Sequence, residues 1–233
     1  MENSQMYNNN LLMNFKISLW GNRNDLSFSA GFTIEEENKR CSGCLDSLEH
    51  MRTNIIVNHS ENVWNYIDQL PKNGKNRLLS IVLDNGALEF VSDLCFATFC
   101  TMHKIFTHVR FYVKRIPWFV SDVTAKDFRW TLKQLNNEDS SPILQQLSSK
   151  WLHFLDTHQW EVVEEAFWTL PLPYHVMQKE DGALYDSLSQ SQLIIFKGDL
   201  NYRKLGADLQ WPTTTPFTEF LQGLCYCFQY YYF

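Results

Sequence analysis

The sequence predicts an α/β fold in which a mainly parallel sheet is flanked by helices, and three observations carry that prediction. The run RLLSIVLDN (77–85) is compact, apolar and rich in branched side chains, as a strand buried on both faces is. HVRFYVKRI (108–116) alternates as a second strand, and LIIFKG (193–198) supplies a third. Helical periodicity fills the intervals, so strand, helix, strand, helix, a long excursion, strand and helix follow in order.

Taken along the chain, residues 1–14 are Asn-rich and read as a flexible tail. Residues 15–75 read as a residual N-terminal region, partly helical. Within it KISLWGNRNDLSFSAG (16–31) has two short apolar runs separated by turn chemistry. The stretch 45–70 ends in an amphipathic helix, capped by Ser60 or Asn58, with Val63, Trp64, Ile67 and Leu70 along one face. PKNGKN then makes a turn, and residues 76–224 form the α/β domain. After the first strand GALEFVSDLCFATFCTMHKIF has helical periodicity, and a helix over 124–135 takes Asp122 or Thr124 as its cap. A long helical region is expected over 141–168, interrupted near Thr157-His158. Trp151, Phe154 and Trp160 would pack it on the core, with Glu161, Glu164 and Glu165 on its solvated face. A helix in LYDSLSQ precedes the third strand, and another opens near Asn201. Residues 225–233, CYCFQYYYF, form an atypical aromatic tail with neither a helical stripe nor strand alternation.

Composition removes several function classes. Twenty basic against 26 acidic residues leave a net charge of −6. That argues against nucleic acid and against anionic membrane surfaces as partners, since clustered positive charge supplies most of either affinity. No apolar stretch is long enough to span a bilayer, and no secretory signal opens the chain. Six cysteines without a signal suggest reduced thiols and a cytoplasmic or nuclear location. Cys41-x-x-Cys44 lacks a second pair, and His103/His108 and His153/His158 are five apart, which does not put two ligands on one helical face.

Three strands end in chemically rich segments: Asp84-Asn85, Ser121-Asp122 and Lys197-Gly198-Asp199. Ligands of open parallel sheets bind beyond the carboxyl ends of the strands. If the first two strands are neighbours, Asp84, Asn85 and Asp122 converge. Two carboxylates packed together repel unless a cation intervenes, and Asp and Asn oxygens suit a hard divalent ion with positions left for water and substrate. Lys197, Asn201 and Arg203, at the opening of the last helix, suit a phosphate group. Each strand end has a plainer reading, because Asp, Asn and Gly make turns and cap helices. Lys197 in particular could instead pair with an acid at the strand end.

The blocks LDNGALEFVSDL, PWFVSDVTAKDFRW and LIIFKGDLNYRKLGADLQW resemble the signature blocks of the eukaryotic damage-control phosphatase family, whose animal and fungal members are also described as acidic-residue methyltransferases. SLWGNRNDLSFSAG and ENVWNYI resemble the stretches that precede them, so the resemblance runs from about Lys16 to about Leu224. It implies a three-layer α/β/α sandwich with a helical N-terminal region. It also implies a metal-dependent phosphatase, using Mn²⁺, Ni²⁺ or Co²⁺, for small phosphorylated metabolites such as fructose phosphates. By that resemblance Asp84, Asn85 and Asp122 are the metal ligands and catalytic residues. Asp84 and Asn85, with Asp199, Leu200, Asn201, Tyr202 and Arg203, face substrate. Glu89 and Asp122 match positions assigned to S-adenosylmethionine in members credited with methyl transfer to protein carboxylates.

The chain departs from the family pattern in three ways. The first block usually reads D-N-x-G-x-E, whereas Gly86 comes one place early here. A much longer helical region usually precedes W-G-N, so apolar surface is expected to be exposed. A downstream R-T-x-K lysine that faces substrate in the family has no counterpart before the chain stops. These departures set two alternatives beside the phosphatase: a carboxyl methyltransferase acting on a protein substrate, or an inactive product truncated at both ends. The nine glycines include no G-x-G-x-x-G loop after a strand, which gives the methyltransferase little independent support.

Overall fold

A computed structural model describes residues 17–18, 59–71 and 77–222 of the chain. The expected tail 1–14, the turn chemistry of 19–31, the Cys41/Cys44 pair, the Asn58 cap and the aromatic tail 225–233 lie outside the described residues.

Four strands, all parallel, form one sheet in the order β3-β2-β1-β4. They are β1 (Leu78–Val82), β2 (His108–Lys114), β3 (Trp160–Glu165) and β4 (Leu193–Phe196). The first and second predicted strands are neighbours, with Val82 opposite Tyr112, and β1 is flanked on its other side by β4, with Val82 opposite Phe196. The described residues include the α-helices α1 (Ser60–Gln69), α2 (Ala87–Met102), α3 (Ala125–Leu135), α4 (Pro142–Asp156), α5 (Met177–Glu180), α6 (Gly182–Ser189), α7 (Gly198–Leu205) and α8 (Phe217–Phe220).

β1, β4 and most of β2 are buried on both faces, and the period-two alternation sorts their side chains into two cores. Leu79, Ile81, Val109, Phe111, Leu193 and Ile195 join one core with Phe90 and Leu94 of α2, Phe128 of α3 and Trp151 of α4. Val82, Tyr112, Ile194 and Phe196 join the other with Phe167, Trp168, Tyr174, Leu184 and Leu205. These are the three layers of the expected α/β/α sandwich. Val63 and Ile67 of α1 are buried in the first core and Trp64 packs against it, as the helical stripe predicts. His59, not Ser60, holds the α1 N-cap position, with no side-chain cap bond. Thr124 caps α3 in a complete capping box with Asp127.

One element differs from expectation. The region 141–168 is not a broken helix: α4 ends at Asp156, and Trp160–Glu165 is a parallel strand at the sheet edge. His158 takes φ +56°, which breaks the helix, and β2 offers an open edge onto which WEVVEE pairs from Val109–Trp160 to Lys114–Glu165. Trp160 is buried as expected, but from the sheet. Glu161 meets Arg110 of β2 at 2.8 Å instead of lying on a helix face. Similarly, α7 opens at Gly198, before the predicted Asn201.

Candidate functional site

Beyond Val82 the chain continues in register with its neighbours for one more step, and the Leu83 N–H donates to the Tyr112 carbonyl. The loop after β2 then folds back over the strand ends. The Val123 N–H donates to the Asp84 carbonyl at 2.8 Å, the Gly86 N–H to the Ser121 carbonyl at 2.8 Å, and the Lys114 N–H to the Val123 carbonyl at 3.0 Å. Asn85 and Asp122 thereby face each other as an antiparallel bridge pair. Asp84, Asn85 and Asp122, predicted to converge, do so, and all three are buried.

Their neighbours follow from register arithmetic. Two residues beyond Tyr112 stands Lys114, and two beyond Phe196 stands Gly198, so both lie beside Asp84. Lys114 is fully buried; its ammonium donates to the Leu83 carbonyl at 2.7 Å and meets Asp122 at 2.9 Å and Asp84 at 3.6 Å. Gly198 takes φ +82°, and a Cβ there would come within 1.9 Å of the Asp84 carboxylate. The carboxylate therefore packs against bare backbone where α7 begins. Only glycine suits that position.

Asn85 is held from three sides. Its Nδ2 donates to Asp84 Oδ2 at 2.8 Å and to Glu89 Oε2 at 3.0 Å, while Ser121 Oγ donates to its Oδ1 at 2.6 Å. Burial raises the Asp84 pKa to about 8, with Glu89, Asp122 and Asp199 adding to the effect and Lys114 opposing it. Burial also raises Glu89 and Asp93, against Lys197. Tyr174 rises through burial and the nearby Asp84.

Two carboxylates and an amide carbonyl, with acid in excess of one lysine, fit a hard divalent cation as a site of few protein ligands. Among the described residues no cluster of three or more His, Cys, Asp or Glu has the arrangement of a metal centre, so any cation site here depends on the amide oxygen.

The remaining predicted residues divide. Of the two readings of Lys197, the ion pair with acids is the one seen: its ammonium meets Glu89 at 3.2 Å and Asp93 at 2.9 Å and donates to Ser18. Burial opposes its charge, but Asp93 and Glu89 outweigh it and the pKa is raised. Glu89 is itself buried between Asn85 and Lys197. Asn201 is buried and locks the start of α7, donating to the Lys197 carbonyl at 2.6 Å and accepting from the Tyr174 hydroxyl. Tyr202 stacks on Phe220. Arg203 is turned to the surface in a two-pronged contact with Asp208, at 2.9 and 2.6 Å. Asp199 is exposed and Leu200 half-buried at the first turn of α7.

Sequence reasoning missed Lys114, Asp93 and Lys204, and named Ser121 at its strand end without giving it a role. A lysine directly after the apolar run Phe111-Tyr112-Val113 at a strand end was a usable signal for Lys114. No local pattern marks Lys204, whose ammonium donates to the carbonyls of Phe167, Trp168 and Leu170 at 2.7, 3.1 and 2.9 Å and ties that segment to α7.

The chain is 38% identical to the damage-control phosphatase ARMT1 of Bos taurus over 211 residues, covering 89% of this chain and 47% of that protein. The Danio rerio protein of the same name is 38% identical over 218 residues, 92% of this chain and 48% of the relative. That of Xenopus laevis is 39% identical over 210 residues, 88% and 47% respectively. The chain thus spans about half the length of the curated relatives it matches. The model of the family described as "Damage-control phosphatase ARMT1-like domain" matches residues 1–230, nearly every position, and the chain belongs to that family.

Proposed function

We propose that the chain is a metal-dependent phosphomonoester hydrolase acting on small phosphorylated metabolites, fructose phosphates among them. The observation that carries this reading is the convergence of Asp84, Asn85 and Asp122 at the ends of two adjacent parallel strands, with the first turn of α7 alongside. An acid-rich site repels an anionic substrate unless a cation intervenes, which is why the reading requires a metal. A Mn²⁺, Ni²⁺ or Co²⁺ ion held by the Asp84 and Asp122 carboxylates and the Asn85 carbonyl would polarise a phosphoryl oxygen and lower the pKa of a bound water.

The chain's own residues supply the rest. Lys114 holds Asp84 and Asp122 to one arrangement, and Ser121 and Glu89 orient the Asn85 amide. The N-terminus of α7 lies beside Asp84, where Gly198 packs against its carboxylate, and a helix N-terminus suits phosphate oxygens. Asp199 and Leu200, on the same turn, would line the substrate pocket. Lys197 does not join these phosphate contacts, because its donors are engaged by Ser18 and Asp93. The methyltransferase reading gains no support from Glu89, whose carboxylate is occupied by Asn85 and Lys197.

The test is phosphate release from fructose 1-phosphate with Mn²⁺, Co²⁺ or Ni²⁺, beside an Asp84→Ala control. Metal-dependent release above the control is expected. Release equal to the control would leave an inactive chain, and methyl transfer from S-adenosylmethionine without added metal would favour the rival enzyme.

A further inference from the structure

We propose that Lys197 is a positioning residue for the cation-binding amide, acting through Glu89 on Asn85; the inference rests on the metal reading above. The path is continuous. Lys197 Nζ meets Glu89 Oε1 at 3.2 Å, Glu89 Oε2 accepts from Asn85 Nδ2 at 3.0 Å, and the same Nδ2 donates to Asp84 Oδ2 at 2.8 Å. An amide has one donor end and one acceptor end, and its orientation is set by what each end meets. With two carboxylates on the Nδ2 side, the opposite orientation would set Oδ1 against both. The Oδ1 end is thus turned from Glu89 toward Ser121, the residue that precedes Asp122.

Glu89 can do this only while it stays in place as a carboxylate, and it is 1% exposed. A buried anion needs a compensating charge and hydrogen bonds. Lys197 provides that charge and is in turn fixed by Asp93 at 2.9 Å and by the Ser18 carbonyl and hydroxyl at 2.7 Å each; Ser18 Oγ also donates to Asp93. Ser18 belongs to the segment SLWGN, 179 residues from Lys197 in the chain. The network therefore couples the N-terminal segment to the orientation of Asn85. Sequence position alone leaves Lys197 between substrate and a strand-end acid, since it directly precedes the turn that faces Asp84. The strand alternation sends it to the opposite face of the sheet from Asp84, against α2.

Outer-sphere partners that orient a ligand typically change metal affinity by about 10–100-fold when removed. The experiment is Mn²⁺ titration of the full chain by calorimetry for wild type, Lys197→Met, Glu89→Leu and the double variant, with KM for fructose 1-phosphate measured at saturating Mn²⁺. The expected result is Mn²⁺ affinity about tenfold or more weaker in each single variant, no further loss in the double variant, and KM within about twofold of wild type. Lys197→Met with wild-type Mn²⁺ affinity and a raised KM would overturn the proposal, because that pattern belongs to a phosphate contact. Should Lys197→Met not fold, Glu89→Leu carries the same test, since Lys197 keeps Asp93 and Ser18; unchanged Mn²⁺ affinity there overturns the proposal. Absence of Mn²⁺ binding by wild type would overturn the metal reading itself and the inference with it.

Discussion

Gly86 and Ala87 offer a perturbation whose size can be worked from the structure. The family pattern D-N-x-G-x-E puts glycine at the position held here by Ala87. That residue takes φ +55°, in the left-handed region, whereas Gly86 has φ −66° and ψ −160° and needs no special freedom. An L-residue in left-handed conformation costs about 1–2 kcal/mol. A Cβ on residue 86 would meet the Ser121 carbonyl oxygen at 3.5 Å, an ordinary contact. The double swap Gly86→Ala with Ala87→Gly exchanges one residue of each kind, so the unfolded-chain entropy terms cancel to first order. What remains is the left-handed penalty, a stabilisation of about 1–2 kcal/mol. At about 2–4 °C per kcal/mol for a chain of this size, Tm should rise by about 2–8 °C. Thermal denaturation followed by circular dichroism measures it, and Mn²⁺ affinity should be at least retained, because Asn85 and Glu89 keep their spacing. An unchanged or lowered Tm would refute the claim that Ala87 is strained.

Two further predictions test the packing around the site. Gly198→Ala combines left-handed strain with a Cβ driven into the Asp84 carboxylate, so a loss of about 3 kcal/mol in denaturant unfolding is expected, together with loss of Mn²⁺ binding; a stable, metal-competent variant would contradict the close approach. Lys204→Met leaves three carbonyls without their donor and should cost about 2 kcal/mol. Burial, with Lys114, lowers the Lys204 pKa from 10.5 to about 7 in the fold. Between those values the unfolded chain binds more protons, so wild type should gain stability relative to the variant as pH rises through that window. A pH-independent difference would mean that the three carbonyls hold the ammonium at its ordinary value.

The strand cores at 78–82 and 193–196 were legible because residues buried on both faces make short continuous apolar runs that few other environments produce. That at 108–114 was legible from its alternation. Residues 160–165 were not. At the sheet edge the burial of WEVVEE is partial and irregular, so the segment carries neither alternation nor an apolar run, and only the open edge of β2 makes it a strand. The N-cap of α1 was missed for a related reason: the helix is held by Val63 and Ile67 in the core rather than by a capping side chain.

The sequence by itself determined which chemistry stands at each strand end, and with parallel neighbours it determined that Asp84, Asn85 and Asp122 meet. Tertiary structure decided the partners. Strand register set Lys114 and Gly198 beside Asp84, alternation turned Lys197 away toward Glu89 and Asp93, and at the surface the exposed Asp208 took Arg203. A charged side chain joins whichever opposite charge burial places within reach, and that choice is made across the sheet, where local sequence has no view of it.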